Sequence, residues 1–95
     1  MKLEETGLTF EDIKEKVNKY MIETYERMDF LAESAKDQYI YNEKGEKYLD
    51  FYAGIAVNSA GSCNEKVVKA VVDQAQTLMH TFNYPYTIPQ ALLAE

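Results

Sequence analysis

The side chains of this chain that could do chemistry are few. His80 is the sole imidazole and Cys63 the sole thiol, and no serine–histidine–aspartate or cysteine–histidine arrangement follows from their positions. His80 closes an apolar-periodic stretch, where a helix C-terminal dipole favours a cation. Cys63 lies between Ser62 and Asn64 with no basic neighbour in sequence, and reads as a small space-filling residue. One cysteine and one histidine cannot build a Cys/His zinc site, so no metal is expected. The glycines at 54 and 61 match neither a dinucleotide fingerprint nor a phosphate loop. The 16 acidic residues read as a solvated face, with none paired for general acid–base work. What remains is aromatic. Tyr84, Pro85 and Tyr86 form a cluster that suits a core, an interface or a substrate wall.

Composition narrows the classes further. A length of 95 residues allows one small domain, and an apolar fraction of 46% argues against disorder. A net charge of −6 disfavours nucleic acid, because neutralising phosphates needs clustered Lys and Arg. Residues 1–50 hold 13 acids and 8 bases, whereas residues 51–95 hold 3 and 2. The second half is therefore nearly neutral and suited to burial against something. No secretory signal is visible in Met1 to Phe10, with Glu4 and Glu5 and no apolar core. The run Phe51–Val57 is far too short to cross a membrane. A single cysteine gives no internal disulfide and fits a reducing cytoplasm.

The elements that must carry these residues can be read from periodicity and punctuation. Thr9-Phe-Glu-Asp12 is a helix start, and Phe10, Ile13, Val17 and Tyr20 or Met21 recur at helical spacing, which predicts a helix over about 10–27. Phe30-Leu-Ala, Gln38–Tyr41 and Lys47–Phe51 read as three short antiparallel strands. The last two flank a hairpin loop at Asn42–Gly45, where Gly45 suits positive φ. Gly54, Asn58-Ser59 and Gly61 punctuate an irregular stretch. Asn64 is placed to cap a second helix, with Val67/Val68, Val71, Ala75 and Leu78/Met79 as its apolar stripe. Thr87-Ile-Pro-Gln90 has the spacing of a capping box for a third helix that is barely begun, so the chain reads as cut. The expected class is α+β: a helix, a small three-stranded antiparallel sheet with a hairpin, a second amphipathic helix and the start of a third.

Two stretches carry a resemblance. Tyr48-Leu-Asp-Phe-Tyr-Ala-Gly-Ile-Ala-Val-Asn58 and His80-Thr-Phe-Asn-Tyr-Pro-Tyr-Thr-Ile-Pro-Gln90, separated by one helix, resemble the N-terminal segment of the class III pyridoxal-phosphate aminotransferases. That group includes acetylornithine, ornithine and 4-aminobutyrate transaminases. The match runs over roughly 37–95 in order and without gaps. It departs at the turn, where Ser62, Asn64 and Glu65 replace the family's usual His, His and Pro, which leaves the subgroup open.

The resemblance implies a fragment of the small domain of a fold type I pyridoxal-phosphate transferase. Residues 1–28 would be an N-terminal helical segment and 29–95 the N-terminal part of the small domain. By resemblance Ile55 and Val57 line the substrate channel, and Tyr86 reaches the substrate's distal end. The lysine, the acid and the phosphate-binding turn that hold pyridoxal 5'-phosphate belong to the large domain, so no catalytic residue and no specific cofactor binding are expected in this chain. The parent would move an amino group from an amino acid or ω-amine to a 2-oxo acid, with the fragment alone inactive. The implied partners are the missing large domain or a partner subunit, in a homo-oligomer without nucleic acid, membrane or metal. The alternative is a non-catalytic module that binds its own copy or another chain through the apolar half.

Overall fold

A computed structural model describes residues 1–95. Contacts divide the chain into two units, Met1–Asn64 and Glu65–Glu95.

The first unit opens on a 3-10 turn, Leu3–Glu5, tied to the sheet region by the Leu3 amide donating to Glu33 Oε1 at 2.7 Å. Helix α1, Phe10–Tyr20, starts as its sequence dictates. Thr9 Oγ1 accepts from the Asp12 amide at 3.2 Å and Asp12 Oδ2 accepts from the Thr9 amide at 2.8 Å, so two of the helix's orphan donors are satisfied reciprocally. The Thr9 hydroxyl also donates to Asp12 Oδ2 at 2.7 Å, and this bond, followed by that from the Thr9 amide, holds the Asp12 carboxyl below its ordinary value. Lys14 reaches Glu11 and Asp29, both at 2.9 Å, and its ammonium pKa is raised by those two bonds, Asp29 first.

The helix is shorter than the expected 10–27. Met21 turns extended at φ −108°, ψ 146°, and Met21, Ile22, Tyr25 and Met28 are all exposed. Local propensity favours helix only weakly across Ile22, Thr24 and Tyr25, and an apolar face with nothing to pack on does not sustain one.

Three strands follow, β1 Ser34–Lys36, β2 Tyr39–Tyr41 and β3 Lys47–Leu49, in the order β1-β2-β3 and antiparallel throughout. The first strand lies four residues beyond the expected Phe30-Leu-Ala. Its register, Lys36 opposite Tyr39, leaves Asp37 and Gln38 as a two-residue hairpin turn. Asp37 takes φ 52°, a conformation acidic and amide residues tolerate better than most. The second hairpin pairs Tyr41 with Lys47. Its turn closes through the Gly45 amide donating to the Asn42 carbonyl at 3.0 Å, with Gly45 at φ 77° as expected.

Asn42, at 7% exposure, is the one buried residue, and no apolar side chain reaches full burial. Half-buried side chains, among them Phe10, Ile13, Val17, Phe30, Leu31, Tyr39 and Ile40, are what the first unit has for a core.

The second unit holds α3, Glu65–Thr77, and α4, Ile88–Ala94. Helix α3 begins directly after Asn64 with Glu65 in its first turn. Val67, Val68, Val71 and Val72 along it are exposed, and the expected Leu78 and Met79, exposed too, lie beyond its end. Helix α4 has Thr87 at its N-cap and Pro89 in its first turn, but the Thr87 side chain makes no capping bond. Its start therefore rests on proline's fixed φ and not on the expected capping box. No helix is long and apolar enough to cross a membrane.

Candidate functional site

The loop that leaves β3 is the least ordinary backbone in the molecule. Asp50 ends the sheet, its amide donating to the Gln38 carbonyl at 2.9 Å. Its Oδ1 then accepts from the amides of Tyr52 and Ala53, both at 2.9 Å. This is the local side-chain-to-backbone geometry that lets an aspartate start a turn. Directly beyond, helical turn α2, Ala53–Ala56, runs with positive φ at every residue: 47° at Ala53, 61° at Gly54 and Ile55, and 60° at Ala56.

Gly54 takes this conformation freely, whereas each non-glycine residue costs roughly 1–2 kcal/mol, hence about 3–6 for Ala53, Ile55 and Ala56 together. Ile55 is the extreme case, because its β-branched side chain crowds the carbonyl most. The turn is held from within by the Ala56 amide on the Tyr52 carbonyl and the Asn58 amide on the Ala53 carbonyl, each at 3.0 Å.

The return half of the loop is pinned to the same β1–β2 turn. Asn58 Nδ2 donates to Ser62 Oγ at 2.7 Å. Ser62 and Asp37 exchange backbone bonds at 2.7 and 2.8 Å. Gly61, at φ 78°, lies so close that an added Cβ would stand 3.2 Å from the Asp37 Cα. Asp37 and Gln38 thus grip both ends of the 50–62 loop, which closes around a shallow depression of about 340 Å³ lined by Asp37, Asp50, Ala53, Asn58 and Gly61.

This frame holds the two expected wall residues outward. Ile55 is 75% and Val57 80% exposed. Tyr86, the third expected site residue, belongs to the second unit and is fully exposed at 104%. Close by in sequence, Phe82 and Tyr84 meet edge to face with centroids 5.6 Å apart, while Tyr84 stays exposed. Ile55 and Val57 share one turn; Tyr86 is on a separate loop. Periodicity did not identify Asp50 as the residue that organises this turn. Its signal was legible nonetheless: an aspartate two and three residues ahead of the amides it binds, with a glycine four residues on.

The pyridoxal phosphate implied by the resemblance can be tested against the residues present. Such a site needs a desolvated lysine, a carboxylate beside a ring nitrogen and a cluster of donors for a phosphate. Here Lys14 is ion-paired with its pKa raised, Lys69 pairs with Asp73 on the surface of α3, and Lys47 lies 3.6 Å over the Tyr39 ring. No lysine is buried. The depression at the loop neck presents carboxylates and no basic side chain, the wrong sign for a phosphate. These residues do not fit the cofactor, and no chemical step can be built through it from this chain.

Comparison with known proteins agrees with the architecture. The profile of the family described as "Aminotransferase class-III" matches residues 20–95. An acetylornithine aminotransferase of Methanocaldococcus jannaschii is 48% identical over 77 residues, 81% of this chain and 19% of that protein. Another from Archaeoglobus fulgidus is 40% identical over 81 residues, 85% of this chain and 22% of that one. Among solved structures, an ornithine aminotransferase from Plasmodium yoelii superposes with a TM-score of 0.81 at 22% identity, covering 90% of this chain and 23% of its own. One from Toxoplasma gondii does so at 0.79 and 25%, covering 96% and 22%. The chain thus spans about a fifth of the length of the curated relatives it matches. With the family profile matched over residues 20–95, most of its length, the chain belongs to the class III aminotransferases, a pyridoxal-phosphate-dependent family.

Proposed function

We propose that this chain supplies the N-terminal wall of the substrate channel in a class III aminotransferase and is inactive without the remaining four-fifths. The observation that carries the reading is the outward projection of Ile55 and Val57 from a strained, clamped turn. Water gains nothing from such a turn, whereas a channel needs apolar side chains held at fixed positions. Tyr86 contacts the distal end of the substrate. The enzyme so completed moves an amino group from an amino acid or ω-amine, of the ornithine type that the relatives' names point to, onto a 2-oxo acid. The cofactor and its chemistry come from the part of the family's length outside these 95 residues. Residues 1–28, helical over Phe10–Tyr20, act as an N-terminal arm and 29–95 as part of the small domain, in a homo-oligomer in the cytoplasm.

The test is complementation. The 95-residue chain is mixed with a separately expressed class III body carrying the large domain, and transamination is assayed alongside each part alone. Activity only in the mixture is expected; a mixture as inactive as its parts would sink the reading.

A second reading has its own support, the uncovered stripe of α3. Such surfaces drive association, so the same chain could act as a non-catalytic module that binds its own copy. Light scattering separates the two. Self-association that persists when the body is supplied favours the module, and its disappearance on complementation favours the enzyme.

A further inference from the structure

We propose that Asp50 is a positioning residue for the channel wall: its carboxylate clamps the Tyr52 and Ala53 amides and so holds the left-handed turn that aims Ile55 and Val57. The inference rests on the proposed role of those two side chains. Three observations meet at Asp50. Its backbone amide is the last rung of the sheet, on Gln38. Its Oδ1 takes both amides that lead into the turn, at 2.9 Å each. The residues immediately beyond adopt φ values that three non-glycine side chains resist.

A strained run of this kind persists only where its surroundings over-determine it. Packing does not do so here, since Phe51, Tyr52, Ile55 and Val57 are all exposed. The clamp comes from hydrogen bonds, and Asp50 makes the two at the entry. Releasing them lets Ala53 and Ile55 fall back to negative φ, which swings the Ile55 side chain away from its present direction.

Amide exchange in the 95-residue chain reads the clamp directly. The Tyr52 and Ala53 amides exchange about tenfold faster in Asp50→Ala, as expected for loss of a hydrogen bond to a charged acceptor. Asp50→Asn, which keeps one carbonyl oxygen, falls between that variant and wild type. Wild-type amides as fast as an open chain overturn the inference.

The complemented enzyme reads the consequence as the ratio of KM values for a long ω-amine donor and a short amino acid. Asp50→Ala shifts this ratio in the same direction as Ile55→Ala, by about tenfold, with kcat changed less. If Ile55→Ala moves the ratio and Asp50→Ala does not, the positioning role is wrong and the wall reading stands. If neither moves it, or wild type gives no activity, the wall reading fails and takes this inference with it. Should Asp50→Ala not assemble, adding Ala53→Gly and Ala56→Gly relieves two of the three strained positions the clamp opposes and restores assembly with the shifted ratio. A triple variant that also fails to assemble shows that Asp50 acts elsewhere, and overturns the proposal.

Discussion

The hairpin at 39–49 and the loop at 50–62 are neighbours in sequence and opposites in how they are held. In the hairpin every demand of the backbone is met locally. The residue at positive φ is a glycine, Gly45, and a Cβ added there would meet nothing. Asn42 Oδ1 accepts from the amides of Lys44 and Glu46, while its Nδ2 donates to Glu46 Oε2 at 2.6 Å. The loop does the reverse. It places alanine, isoleucine and alanine where glycine belongs, with Ala53 half-buried and Ile55 and Ala56 exposed. A segment that satisfies its own rules stands as a scaffold; one that breaks them stays in place only under restraint.

The sharpest way to break that comparison is to remove the scaffold's centre. Asn42→Ala leaves two turn amides without their acceptor and Glu46 without its amide donor. It is expected to destabilise the hairpin by about 1–3 kcal/mol, measured as faster exchange of the Glu46 amide. If that exchange is unchanged, Asn42 is a bystander and the hairpin is held by its ladder alone.

A smaller effect, with opposite signs in the two regions, sharpens it. Gly45→Ala puts a side chain at φ 77° in open space, so the cost is conformational only, about 1 kcal/mol. Ala56→Gly relieves a residue at φ 60°. The relief of about 1–2 kcal/mol exceeds glycine's entropic cost of about 0.5–1, for a net gain of about 0.5. Exchange of the Gly45 and Asn58 amides reads the two sites. Equal signs would mean that the loop is not strained in solution.

The same contrast explains what the sequence disclosed. Thr9 with Asp12, Gly45 after Asn42, and Asn64 before α3 are local signals, and each marks a boundary that the structure keeps. The end of α1 and the place of the first strand were misjudged because they depend on partners distant along the chain. Met21 to Met28 carries helical apolar spacing but has no surface to lie on. β1 is positioned by the Asp37–Gln38 turn and not by its own apolar content. At the candidate site, Ile55, Val57 and Tyr86 came from resemblance. Spacing alone could not have found them, since a wall residue is defined by what it faces. The left-handed turn was hidden because alanine and isoleucine give no hint of positive φ.

The smallest expected effect is a dependence on pH that belongs to the hairpin. Glu46 accepts from Asn42 and from the Tyr48 hydroxyl, and these bonds hold its pKa below the ordinary 4.5. A carboxylate depressed in the folded state adds stability that is full above its unfolded value and fades as pH falls through the folded one. Tyr48 mirrors it. Donation to Glu46, then burial, raises its pKa above 10.0, so its contribution is full below that value and fades as pH rises through the raised one. Protection of the Glu46 amide, corrected for intrinsic exchange, should therefore hold a plateau between these limits and fall at both ends. Glu46→Gln should flatten the acid limb, because its amide does not titrate. An acid limb that survives in Glu46→Gln would assign the loss to other carboxylates, and the hairpin would no longer stand apart as a self-sufficient scaffold.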